Sequence, residues 1–182
     1  MARPASAMRG HILDSALRLF ATNGFGGTSL HAIAADASCS KASLIYHFST
    51  KEAILTELLT PAGEGLAALD GQLNTLPDEE RVAAAVTGYV DLALRYRREV
   101  KILFEDTPAM ICNPALGDIE ALAARLATAM SGGSADPRRV VSAHMVLGAV
   151  FITCASELDV PDEVLRDELV AGALRTLGHR AG

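Results

Sequence analysis

Apolar residues recur at spacings of three and four along most of this chain. No segment shows the sustained alternation with Val, Ile and Thr that a strand needs. The first stripe, Ile12, Leu13, Ala16, Leu17 and Phe20, predicts a helix over 10–23. Asn23-Gly24 ends it, Gly24 suiting a left-handed cap, and Gly26-Gly27 forms the turn. Thr28 is expected to cap a second helix over 29–36 that buries Leu30, Ile33 and Ala34. Ala37-Ser38-Cys39 breaks that helix, and Ser40 caps a third short one over 41–48. Ser49 and Glu52 stand at capping-box spacing, so a fourth helix is expected from Thr50 toward Leu59. Pro61 should kink or stop it, with a continuation through about Asn74.

Longer helices follow. Pro77-Asp78-Glu79-Glu80 opens one that carries Val82, Val86, Tyr89 and Ala93 on a stripe, and a shorter one covers 99–106. Asn113-Pro114 and Asp136-Pro137 each pair a cap with Pro at the first helical position. A last helix follows Pro161-Asp162-Glu163 and ends near Gly178. The helix over 137–158 stands apart, because from Val140 to Ser156 no residue is charged. Its apolar positions form two stripes: Val140, His144, Leu147, Phe151, Cys154 and Leu158, and beside them Val141, Met145, Gly148, Ile152 and Ala155. Seventeen uncharged residues that include Ser142, His144, Gly148 and Thr153 sit at the lower limit for a membrane span. The pattern reads instead as a helix buried on one side in its own core and on the other in a partner subunit.

Composition supports an all-α globular chain of one or two domains. Its 182 residues are 50% hydrophobic and 21% charged, so a core of useful size can form. The three cysteines, Cys39, Cys112 and Cys154, have no zinc or CxxC spacing and read as reduced thiols in a cytoplasmic protein. The first ten residues carry no apolar run of the secretory kind. Net charge is −6, which by itself argues against nucleic acid. The charge is unevenly divided, however: 1–52 carry +2 and the remainder −8. Binding to phosphates depends on local basic contacts, so a mildly basic head on an acidic body is compatible with DNA.

Two short helices joined by a tight turn, behind a supporting helix, make a helix-turn-helix. Ala34 is the small residue where the helices cross. Ser38 stands at the turn position that tolerates unusual backbone angles. Cys39 is an apolar plug, and Leu44 and Phe48 give the third helix a buried side. Residues Ile12 to Leu59 resemble the DNA-binding domain of the tetracycline-repressor (TetR) family. The resemblance is carried by Ala16-Leu17-Arg18-Leu19-Phe20 with Asn23-Gly24-Phe25, by Thr28-Ser29-Leu30 and Ile33-Ala34, by Ser40-Lys41-Ala42-Ser43-Leu44-Ile45-Tyr46-His47-Phe48, and by Lys51-Glu52-Ala53-Ile54-Leu55. It covers about a quarter of the chain. Three positions depart from the family pattern: Ser38 replaces the turn Gly, Cys39 the usual Val, and Ile45 a frequent Tyr.

The resemblance implies that the third helix enters the major groove, and the small or polar residues on its outer side agree. Thr28, Ser43, Tyr46, His47 and Lys51 are the expected phosphate contacts, and Lys41, Ala42 and Ser43 the expected base readers. It further implies a homodimer through the last two long helices, since one such head reads too few bases alone. Val140, Leu147, Gly148, Phe151, Leu169, Gly172 and Ala173 are the expected interface. Family members bind a small molecule in the helical body. Tyr89, Leu103, Phe104, Met110, Cys112, His144, Met145 and Phe151 are the candidate lining here, for a small and mostly apolar effector. His144, a polar group on an apolar helix, needs a partner.

No GxSxG, P-loop, dinucleotide fingerprint or HExxH occurs, and the five histidines have no metal-ligand spacing, so neither enzyme nor metal or cofactor protein is expected. The acidic groups at 78–80, 162–163 and 167–168 sit at helix starts or on exposed faces, where dipole and solubility explain them. The expected architecture is all-α with about nine helices: a three-helix DNA-binding domain over 8–54, its helix-turn-helix at 29–48, and an effector-binding and dimerisation domain over 55–182. The expected function is a repressor released from a palindromic operator by an effector. The rival is a helical protein-interaction module that binds neither DNA nor effector.

Overall fold

The computed structural model describes residues 5–105, 119–156 and 158–179. The expectations for Met110, Cys112 and the Asn113-Pro114 helix start lie outside them. The described residues form nine helices and no strand: α1 (Ala5–Gly27), α2 (Leu30–Asp36), α3 (Lys41–His47), α4 (Lys51–Leu73), α5 (Asp78–Arg95), α6 (Arg97–Glu105), α7 (Ile119–Met130), α8 (Pro137–Ala155) and α9 (Asp162–Thr176).

Local chemistry sets most of the ends. Gly24 sits at φ 73° and ψ 161°, a conformation open to glycine, and kinks α1 so that one further turn follows it. Ser40 caps α3 by accepting from the Ser43 amide, and Asp136 caps α8 by accepting from the Arg138 amide with Pro137 behind it. Two expected caps move by one residue. Ser29, not Thr28, caps α2 by accepting from the Ala32 amide, and Thr50, not Ser49, caps α4 by accepting from the Ala53 amide. Adjacent hydroxyl residues have the same capping chemistry, and the extended backbone of Ser29 and Thr50 decides between them. Pro61 lies inside α4 without ending it.

Two apolar cores form. The head core gathers Ile12, Ala16, Phe20, Phe25, Ile33, Leu44, Phe48, Ile54, Leu55 and Leu59 from α1 to α4. The body core gathers Leu66, Leu69 and Leu73 of α4 with the inner faces of α5, α7, α8 and α9. The α6 helix belongs to both, burying Ile102 in the head core and Val100 in the body core. Arg97 at its start holds the far end of α8. Its guanidinium donates to the Cys154 carbonyl at 3.1 Å and the Ser156 carbonyl at 2.9 Å, and pairs with Asp162 at 3.2 Å. These are carbonyls that the end of α8 leaves open.

The buried face of α8 is neither of the two expected stripes. It is Ala143, Val146, Val150, Cys154 and Ala155. Val141, Met145 and Ile152 remain exposed on the opposite side, Val140 is exposed near the helix start, and Val164 of α9 is exposed as well.

Candidate nucleic-acid interface

The recognition element begins with the turn between α2 and α3. Ser38 takes φ 54°, the left-handed conformation the helix-turn-helix geometry demands, and its amide donates to the Ala35 carbonyl. The Cys39 amide returns to the Ala34 carbonyl at 2.9 Å, which closes the turn and seats the half-buried Cys39 side chain against the head core. Leu44 and Phe48 then bury one side of α3.

The rest of α3 is turned outward in three rows, each one helical turn long: Lys41 with Ile45, Ala42 with Tyr46, and Ser43 with His47. Lys41, Ala42, Ile45 and Tyr46 are exposed, Tyr46 to 82%, while Ser43 and His47 are half-buried. The Tyr46 and His47 rings meet edge-on at 5.2 Å. No acidic residue occurs between Asp36 and Glu52, although the chain carries 22 Asp and Glu. An acid-free, convex helix face with small residues in its first turn can approach a polyanion without like-charge repulsion.

Two expected contacts are placed differently. Thr28 is buried, and its hydroxyl donates to the Gly24 carbonyl at 2.8 Å, so the side chain braces the α1 kink. Lys51 lies half-buried with its ammonium donating to the carbonyls of Phe25 and Thr28 at 2.5 and 2.9 Å, 4.2 Å above the Phe25 ring. It is a staple between α4 and the end of α1. An ammonium has three N–H donors, so one remains for a phosphate.

The basic excess of the head is also partly neutralised. Arg9 pairs with Glu57 and stacks over the Phe48 ring, and Arg18 pairs with Asp36. The Ser15 hydroxyl and the Arg18 guanidinium hold the Asp36 carboxyl below its ordinary value. These pairings join residues far apart in sequence, which a charge count cannot anticipate. The positive character offered to a ligand therefore rests on Lys41, Lys51 and the helix ends more than on a +2 total.

The effector candidates do not converge on one cavity among the described residues. Tyr89 is largely buried and donates to the Leu147 carbonyl at 3.2 Å, and burial pushes its phenol well above the ordinary range. Phe104 and the half-buried Phe151 stand with their ring centres 6.2 Å apart. His144 turns outward, and Met145 lines a shallow groove between α8 and α9, apart from Tyr89. His144 is exposed and satisfied by its own helix, Nδ1 lying 2.9 Å from the Val140 carbonyl, and Met145 is 60% exposed. A groove of about 790 Å³ lies elsewhere, between α1, α6 and the α8–α9 connection. Leu17 and Thr22 of the head line it with Arg98, Glu99, Lys101 and Asp159. Burial raises the Glu99 carboxyl above its ordinary value there.

Of the expected interface residues, Val140 is exposed, and Gly148 is half-buried with open space where a Cβ would stand. Leu147, Phe151 and Leu169 are half-buried against the body core. Ala173 is buried inside that core and is withdrawn from the interface. Gly172 is half-buried on α9. Val141 and Ile152, in the second α8 stripe, and Val164 of α9 are also exposed.

This is a helix-turn-helix head on an all-helical body. Residues 12–58 match the family model described as bacterial regulatory proteins, tetR family. The biofilm operon icaADBC HTH-type negative transcriptional regulator IcaR of Staphylococcus aureus (strain Newman) is 45% identical over 47 residues, 26% of this chain and 25% of that protein. The HTH-type transcriptional regulator RutR of Escherichia coli (strain K12) is 34% identical over 97 residues, 53% of this chain and 44% of that protein. The chain thus aligns with between a quarter and a half of the length of these curated relatives. Over nearly the whole chain the fold is that of solved regulators. The ketosteroid transcriptional regulator KstR2 of Mycobacterium tuberculosis has a TM-score of 0.77 at 18% identity, covering 96% of this chain and 95% of that one. A TetR-family transcriptional regulator from Bordetella parapertussis 12822 has 0.72 at 21% identity, covering 91% and 93%. Residues 12–58 are thus similar to the TetR-family domain, and the chain has the all-helical fold of these solved regulators.

Proposed function

We propose that this protein is a sequence-specific transcriptional regulator that binds a palindromic operator as a homodimer and represses from it. The observation that carries the proposal is the outer face of α3, an exposed and acid-free surface held off the core by Leu44 and Phe48. Lys41, Ala42 and Ser43 in its first turn read base edges. Tyr46, His47 and the remaining donor of Lys51 hold phosphates and set the register.

The dimer forms through the outward side of α8 together with α9. Val141, Met145 and Ile152 line an exposed strip within a stretch that carries no charge from Val140 to Ser156, and Val164 is exposed on α9. Repression is favoured over activation because IcaR, similar in the head, is a negative regulator by name. Release by a small molecule is part of the proposal. It is supported by the position of α6, whose Val100 and Ile102 sit in different cores, so that a shift of α6 in the body alters packing under the head. The groove of about 790 Å³ beside α6 is of ligand size and mixed in charge.

The test is selection of bound sequences from a randomised duplex pool, with the recovered sites read for symmetry. Two inverted half-sites are the expected result. No enriched sequence at low salt would remove the DNA-binding reading and leave a helical protein-interaction module in its place.

A further inference from the structure

The large apolar side chains left exposed fall into groups. Most lie on α8, α9 and the turn between them, and Phe104 is on α6. Ile45 and Tyr46, on α3, are the two in the head. Tyr46 has a hydroxyl that gives its exposure a polar use. Ile45 has none, yet it is 46% exposed on the outer side of α3. A β-branched side chain is also a weak choice for a seven-residue helix on propensity alone, since it loses χ1 freedom there.

Its neighbours define what Ile45 can meet. It follows Lys41 by one turn on the same row, at the edge of a face otherwise made of Ala42, Ser43, Tyr46 and His47. A phosphate contact from Ile45 is excluded by chemistry, because the side chain has no donor. Against the floor of a major groove one group suits it: the C5 methyl of thymine, the single apolar feature that a base pair presents there.

We propose that Ile45 is a specificity-determining residue that packs on a thymine methyl in each operator half-site. The inference rests on the DNA-binding reading above. It adds to the set of base readers a residue that selects by apolar contact, next to Lys41, which selects by donating. The half-site then carries a required thymine beside the base pair read by Lys41.

The experiment starts from the operator recovered by selection. Each thymine of one half-site is replaced in turn by deoxyuridine, which removes the methyl and leaves pairing unchanged. Wild type should lose about fourfold in affinity at one position and little elsewhere, the value of one buried methyl-sized group. Ile45→Ala should bind the unmodified operator more weakly by a similar factor and should no longer distinguish thymine from uracil there. Ile45→Val should keep the distinction. Ile45 is exposed, so both variants are expected to melt as wild type does. A wild type indifferent to every uracil would overturn the inference while leaving the regulator reading intact. So would an Ile45→Ala variant that keeps the full methyl effect. Failure to recover any operator would overturn both.

Discussion

The outer faces of α3 and α8 are alike in one respect and opposite in another. Both are helix surfaces without acidic residues in a chain of net charge −6, and both stand away from a well-packed core. On α3 the exposed residues are Lys41, Ala42, Ile45 and Tyr46; on α8 they include Val140, Val141, Met145 and Ile152. The first can exchange water for phosphate and base edges, since it carries donors. The second can only exchange water for more apolar surface. Lack of negative charge alone does not mark a nucleic-acid surface. What separates the two faces is whether donors and small residues, or bulky apolar ones, fill the space the acids leave.

That contrast is broken most severely by placing a carboxylate on the α8 face. Gly148→Glu should abolish the dimer, because on a two-fold interface the charge appears twice and has no partner. An uncompensated buried charge costs roughly 3–5 kcal/mol. A Cβ at Gly148 meets nothing within 4 Å, so the isolated subunit should fold unchanged. Light scattering should give the monomer mass while helical content is retained, and operator affinity should fall with the dimer. A mutant that remains dimeric would move the interface elsewhere.

The mirror experiment is Ala42→Glu on α3. The site is exposed, so the fold should again be indifferent, and here the dimer should persist. Operator binding should drop by about 100-fold or more, because a carboxylate among phosphates costs several kcal/mol. Fluorescence anisotropy and light scattering on the same sample separate the two effects. Retention of affinity would mean that α3 does not enter the groove through this face.

Lys51→Ala sharpens the comparison, because Lys51 belongs to the structure of the head as well as to its proposed contact. Loss of two charge-assisted bonds, to the Phe25 and Thr28 carbonyls, should destabilise the head by about 1.5–3 kcal/mol in urea melts. If the third donor meets a phosphate, the salt dependence of operator binding should also fall by about one unit of slope. The expected result is both. A stability loss with an unchanged slope would confine Lys51 to its role as a staple.

The head was far more legible in the sequence than the body, and the reasons are local. Gly24, Ser38 and Ser40 each impose or satisfy a backbone conformation within a few residues; the structure bears out Ser38 and Ser40, while Gly24 kinks α1 and Gly26-Gly27 join its last turn. Leu44 and Phe48 were identifiable as the inner side of α3 because they stand one turn apart, while Lys41, Ser43, Tyr46 and His47 fall on other rows. On α8 no such flank exists. With apolar residues all around, helical spacing offers several equivalent stripes, and the one that packs inward is set by α5, α7 and α9. His144 was placed inward for that reason. The Arg9–Glu57 and Arg18–Asp36 pairs, and the carbonyls that hold Lys51, are tertiary facts with no local signature.

The smallest expected effect tests how closely the turn before α3 is held. Ser38 is exposed and sits at φ 54°. A left-handed conformation costs an L-residue about 1–2 kcal/mol. Glycine escapes that cost but gives up about 0.5–1 kcal/mol through the greater freedom of its unfolded chain. The balance favours Ser38→Gly by about 0.5–1 kcal/mol, a rise of a few degrees in melting temperature for a chain of this size. Operator affinity should be unchanged, since the turn geometry is already the one the helix-turn-helix requires. A variant that melts no higher but binds more weakly would show instead that the serine side chain stiffens the turn when DNA is bound. The strain would then belong to recognition and not merely to folding.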